Sequence, residues 1–354
     1  MTSILIRVKN RKMLNSIQIL RAIAAWIVVL HHYLQVTYST MPTDPISTAL
    51  HRYGAIGVDL FFVISGFVIY LSASKQIVTP VTFAKHRIAR IVPAYWIFTI
   101  ITMALLIYMP GVIPLTLFDQ ELLVKSLLFI PTSNPSGIGY YPIMTVGWTL
   151  NYEMAFYGVF FTSLFLPRKL RIAGLVLGTL ALNQLLPALG GAFKFYKNTI
   201  VFEFIFGVLI GLLHQRGALS AIKPWAALAL AGAAFWIVLT SGQVSHSPLY
   251  SGVPCALLMI AALSQERFMK GMTTLNALGN WSYSTYLCHI PVLCLMLELQ
   301  KRISLPPILT LFASLALIAA VSAFSFKVVE SPIANRMKKK ESAPRPAENR
   351  YETR

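Results

Sequence analysis

Ten apolar segments, each near the length of a membrane-crossing helix, follow one another through most of this chain: 17–38, 55–73, 91–109, 143–166, 172–189, 199–214, 225–242, 249–264, 276–298 and 306–329. Crossing the hydrocarbon core takes about 20 mostly apolar residues. Inside lipid a spanning backbone must satisfy its own hydrogen bonds, which restricts it to helices or closed barrels. Hydrophobic residues make up 56% of the sequence and charged residues 12%, against about 45–50% and about 25% in a soluble domain. The expectation is an all-α integral membrane protein with about ten transmembrane helices.

A formal net charge of +18 would suggest nucleic acid in a soluble protein. Here the basic residues gather at the ends of the apolar segments and no nucleic-acid motif is present, so lipid is the expected surrounding partner and nucleic acid is not. Loop Lys and Arg set membrane orientation. Placed on alternate sides, one set of connections holds Arg7, Lys9, Arg11 and Lys12; Lys75, Lys85, Arg87 and Arg90; Arg168, Lys169 and Arg171; Arg216 and Lys223; Arg267 and Lys270; and Arg336 to Lys340. The other set holds fewer: Arg52, Lys125, Lys194, Lys197, Lys301 and Arg302. An even number of spans then leaves both termini in the cytosol.

Residues 1–14 read as a cytosolic basic tail whose apolar part is too short for a cleaved signal peptide, with Met13 a second candidate start. Residues 15–335 form the transmembrane domain, and 336–354 a cytosolic, basic, disordered tail. The long connection 110–142, rich in Pro and Gly around LLVKSLLFI, reads as a re-entrant or surface-lying segment. Cys255, Cys288 and Cys294 lie in apolar runs without metal-ligand spacing, so no metal is expected.

Ionisable groups inside spans are rare and usually face a bundle interior or an aqueous cavity. This sequence places Arg21, His31, His32, Asp59, Glu153, Glu203 and His289 there. Arg21 and His32 are eleven residues apart, about three helical turns and about 16 Å along the axis, so they share a face; His31 points away from it. Asp59 enters the second span at a depth comparable with His32, where a carboxylate would orient the imidazole. Glu153 needs a cation or donor, and Arg21 is the candidate. Arg87 and Arg90 are neighbours on a helix surface, and guanidinium forks suit phosphate groups. The ninth span lines one helix with Ser282, Tyr283, Ser284, Tyr286 and His289. Glu203 has no surrounding motif and reads as structural. Each of the others has a plainer alternative: snorkelling for Arg21, interhelical hydrogen bonds for His32, ion pairs for Asp59 and Glu153, and orienting charge for Arg87 and Arg90.

Arg21-x10-His32, GVDLFFVISGF at 57–67, Arg87-x-x-Arg90 followed by IVPAYW, WTLNYEMAFY at 148–157, SYSTYLCHIP at 282–291 and VESP at 329–332 together resemble the membrane acyltransferase-3 family. The resemblance runs from about residue 15 to residue 335. It implies transfer of a short acyl group, usually acetyl, from acyl-coenzyme A to a sugar hydroxyl. Its nearest branch is the bacterial exopolysaccharide acetyltransferases of the inner membrane, with a glycan or lipid-linked saccharide as acceptor. By the same resemblance His32 is the essential histidine, Arg21 its paired arginine, Arg87 and Arg90 the pair for coenzyme A, and Glu153 the acidic position of the fourth span. Tyr283 and His289 would touch substrate. His32 would act as general base with Asp59 orienting it; a covalent acyl-His32 intermediate is equally permitted. The rival reading is a transporter or flippase for a lipid-linked sugar, in favour of which the sequence offers no inverted repeat and no paired broken helices.

Overall fold

The computed structural model describes residues 14–38, 41–74, 79–114 and 116–342, and every regular element among them is helical. In chain order these are α1 (Asn15–Thr37), α2 (Pro45–Tyr53), α3 (Ile56–Ser74), α4 (Pro80–Tyr108), α5 (Gln120–Leu127), α6 (Trp148–Ser163), α7 (Arg171–Gln184), α8 (Glu203–Gln215), α9 (Pro224–Thr240), α10 (Val253–Ser264), α11 (Thr273–Ile303), α12 (Pro307–Ser325) and α13 (Ser331–Ser342), with short 3-10 and π turns between them. Several starts are written locally. Asp44, Thr79 and Asp119 accept from the backbone N–H of Ser47, Thr82 and Leu122 at 2.9, 3.2 and 2.6 Å, satisfying donors that no helix carbonyl reaches. Pro45 and Pro80 then open their helices where a missing N–H does no harm.

The bundle is organised by α1 lying along α11, α3 along α8, and α12 against the far side of α11. Glycine decides how close the α3–α8 pair comes. A Cβ on Gly66 would sit 2.0 Å from the Phe204 carbonyl oxygen, and one on Gly207 2.0 Å from that of Val63. Lipid tails are as apolar as leucine, so helices in a membrane associate through such close backbone packing. At the periphery, Trp225, Leu228, Phe235 and Trp236 of α9 are exposed, an apolar face suited to lipid.

All ten expected segments are helical over much of their length, but they are unequal. Asn15–Thr37, Ile56–Ser74, Pro80–Tyr108, Arg171–Leu189 and Pro307–Met337 are long and apolar enough to cross a membrane, and Gly191–Lys197 with Thr199–Gln215, bent by 52°, would make a sixth as one broken span. Helices α9 and α10 are apolar but shorter. Helix α11 has the length, 31 residues, but carries Asn, Ser, Thr, Tyr and His that turn inward. In the connection 110–142, α5 docks against the middle of α4 through Tyr95 Oη to the Ser126 carbonyl at 3.1 Å and Trp96 Nε1 to the Leu127 carbonyl at 2.9 Å. The tail expected to be disordered from 336 instead continues as α13 to Ser342. The basic residues at 7–12, Lys75 and residues 343–354 lie outside the described residues.

Candidate active site

A cavity whose empty space, counted to its open mouth, is about 760 Å3 lies between α1, α3, α4, α6, α8 and α11. It gathers five of the residues singled out from the sequence: Arg21, Arg87, Arg90, Glu153 and Tyr283. They come from four helices, and Arg21, Arg87, Glu153 and Tyr283 are each held by a neighbour. Arg21, 7% exposed, donates from Nε to Ser282 Oγ at 3.1 Å. The Arg87 guanidinium lies 5.6 Å from the Phe83 ring centroid and 5.8 Å from that of Tyr157, a stacking that suits a delocalised cation, and its buried Nε has no hydrogen-bond partner among the described residues. Tyr283 donates to the Ile91 carbonyl at 2.7 Å. Three arginines facing one carboxylate leave the cavity positive, and Phe61, Phe62, Ile64, Val68 and Phe204 supply apolar wall.

Two sequence expectations fail on their partners. Glu153 does not pair with Arg21 among the described residues. Its Oε1 accepts from Ser65 Oγ at 2.7 Å and Tyr157 Oη at 2.5 Å, because α6 turns this residue toward α3 while α1 carries Arg21 against α11. Nor does Asp59 orient His32. Its hydrogen-bond partner is His246 Nδ1, at 3.0 Å, in the turn after α9, and its fully buried carboxyl also meets Glu203. Glu203 belongs to that outlying group and not to the cavity.

His32 finds a different partner. Its Nδ1 stands 3.0 Å from His289 Nε2 and 3.1 Å from the Val28 carbonyl oxygen, and His289 Nδ1 stands 3.2 Å from the Thr285 carbonyl oxygen. His289 is fully buried. Neither imidazole lines the cavity wall, but Tyr286 does, and its ring centroid is 5.8 Å from that of His289. Tyr286 is itself held by Thr149 Oγ1 at 2.9 Å and by donation to the Val146 carbonyl at 3.0 Å. His31 faces away, toward the Leu50 carbonyl at 3.2 Å. The result is a positive cavity with a tyrosine in its wall and a histidine pair behind that tyrosine.

A family model for an acyltransferase domain matches residues 14–326. The chain belongs to the acyltransferase-3 family. This acyltransferase-3 chain is 31% identical over 288 residues to the exopolysaccharide production protein ExoZ of Rhizobium meliloti, covering 80% of this chain and 90% of that one. It is 27% identical over 276 residues to the acyltransferase MdmB of Streptomyces mycarofaciens, covering 68% of each. No solved structure matches it significantly.

Several residues around the candidate site escaped sequence reading. Tyr157 sits four residues after Glu153, the spacing that makes neighbours on a helix, and it binds both Glu153 and the face of Arg87. Glu330 of the VESP stretch accepts from Ser284 Oγ at 2.6 Å, which itself meets Ser325 Oγ at 2.8 Å. The turn histidine His246 carried no signal, because only folding brings it to α3.

Proposed function

We propose that this protein transfers a short acyl group, acetyl by the family's usage, from cytosolic acyl-coenzyme A to a hydroxyl of an exopolysaccharide or another cell-surface glycan. In this reading it sits in a bacterial inner membrane with ten spans and both termini in the cytosol. The observation that carries the proposal is the convergence of Arg21, Arg87 and Arg90 on one cavity with a histidine pair behind its wall. Guanidinium groups bind phosphate through paired, charge-assisted hydrogen bonds, and Arg87 Nε, which no described residue satisfies, leaves a buried donor for that task. The apolar wall suits the pantetheine arm and acyl end. The relative named for exopolysaccharide production supports a glycan as acceptor.

His32 is the base. Its imidazole takes the proton of the acceptor hydroxyl as that oxygen attacks the thioester carbonyl; the carbon–sulfur bond breaks, and the departing thiolate recovers the proton as coenzyme A. General-base catalysis of this kind contributes about 10²–10⁴-fold. The covalent variant passes the acyl group through His32 first.

The test uses purified protein in nanodiscs with radiolabelled acetyl-coenzyme A and cell-envelope glycan. Label reaching the glycan with wild type and not with His32→Ala, while coenzyme A still binds the variant, is the expected result. Label trapped on wild-type protein would select the covalent variant. Full transfer by His32→Ala would remove His32 from the chemistry, and absence of any turnover, with solute movement driven by an ion gradient, would turn the reading to transport.

A further inference from the structure

Two carbonyl oxygens and two imidazoles dictate where the protons sit behind the cavity wall. The Thr285 carbonyl can only accept, so the nitrogen facing it at 3.2 Å, His289 Nδ1, carries a hydrogen. A neutral imidazole has one hydrogen, so His289 Nε2 is a bare lone pair. That lone pair faces His32 Nδ1 at 3.0 Å, and the Val28 carbonyl faces the same nitrogen at 3.1 Å. With an acceptor on either side, His32 Nδ1 must donate. The remaining nitrogen, His32 Nε2, is then unprotonated.

We infer that His289 is the positioning residue that holds His32 in the one tautomer able to act as a base through Nε2. This rests on the proposed role of His32, and it hands to His289 the orienting task that sequence reading gave to Asp59. The scaffold is rigid at both ends. Each histidine meets the carbonyl four residues earlier on its own helix, Val28 for His32 and Thr285 for His289. The two helices, α1 and α11, form the most extensive pairing in the bundle, and His289 is fully buried. A histidine held this way has no rotational freedom to present the wrong nitrogen. In serine-protease triads an acceptor on the far nitrogen of the imidazole plays the same part, and the wrong tautomer there is severely impaired. Here the acceptor is a second imidazole.

The proton path is consistent with that arrangement. When His32 Nε2 takes a proton from the acceptor hydroxyl, the positive charge is shared along the Nδ1–H···Nε2 contact with His289, and the same proton returns from Nε2 to the leaving thiolate. His289 ends as it began. Nothing is consumed and no group other than the substrates changes.

Nitrogen-15 NMR of histidine-labelled protein in nanodiscs tests this without any turnover. The chain has seven histidines, and His32 is identified by the signal missing from His32→Gln. The expected wild-type spectrum at neutral pH shows His32 with hydrogen on Nδ1 and a bare Nε2. His32 protonated on Nε2 would overturn the inference even if wild type transfers acetyl normally. The expected tautomer in a protein that transfers nothing would support the positioning while removing the proposed function. Two variants add kinetics. His289→Leu, with no acceptor, should lower kcat by about 100-fold with KM for acetyl-coenzyme A unchanged, within the range a positioned base supplies. His289→Gln, whose amide oxygen can accept from His32 Nδ1, should restore activity to within about tenfold of wild type on the same scale. Asp59→Asn should leave the His32 tautomer as it is. Unchanged kcat in His289→Leu, or a switched tautomer in Asp59→Asn, would refute the assignment.

Discussion

Arg87 illustrates how much of a residue's role is set by what it rests on. Its guanidinium is flanked by the Phe83 and Tyr157 rings and lines the cavity. Charge-assisted hydrogen bonds are worth about 1.5–3 kcal/mol each, so Arg87→Ala should weaken coenzyme A binding by about 10–100-fold in calorimetry on nanodisc protein. Arg87→Lys keeps the charge and loses the fork, and should recover only part of that loss. His246 offers a different handle, because it lies in the turn outside the spans. Burial opposes its charge, but attraction to Asp59 and their hydrogen bond outweigh burial and hold the imidazole above its ordinary value. A histidine raised in the folded state stabilises below its unfolded value of about 6.5, and the stabilisation is lost as pH climbs through the folded value. His246 also sits at a φ of +52°, a strained backbone for a non-glycine residue. Hydrogen exchange of residues 241–252 should therefore speed up as pH rises past that range, beyond the intrinsic rate, and Asp59→Asn should abolish the pH dependence.

The helices meet through chosen contacts. Gly66 and Gly207 let the α3 and α8 backbones touch, and α3 also presents Phe61, Phe62 and Ser65 to the cavity while α8 presents Phe204. Gly66→Ala would drive a methyl group into a carbonyl and part the pair. The expected cost is about 1–3 kcal/mol, typical of overpacking, read as a lower melting temperature in detergent. Because the same helices build the cavity wall, the variant should also bind coenzyme A less tightly. Pro291 within α11 removes one backbone donor just past His289, and π turns at Pro248–Gly252 and Phe326–Glu330 adjust the neighbouring helices.

For the whole molecule, the proposed topology has a direct test. Its three cysteines are buried, so single introduced cysteines report sidedness cleanly. Ser245→Cys should react with an impermeant reagent added outside intact cells, and Ser220→Cys only after the membrane is opened; the reverse pattern would invert the orientation. Apolar run length carried the class of fold into plain view, because hydrocarbon forces each crossing segment to satisfy itself locally. The motifs singled out Arg21, Arg87, Arg90, Glu153 and Tyr283, which the fold brings to one cavity, together with His32, Asp59 and His289, which do not line it. They did not disclose partners. Depth along a span suggested Asp59 for His32, but the fold sends Asp59 to His246, a residue 187 positions away, and gives His32 to His289 across 257 positions. Periodicity places a residue on the face of its own helix. Which other helix that face meets depends on close backbone packing, such as that at Gly66 and Gly207, and on the turns that carry the chain between helices, and those are decided only when the bundle is assembled.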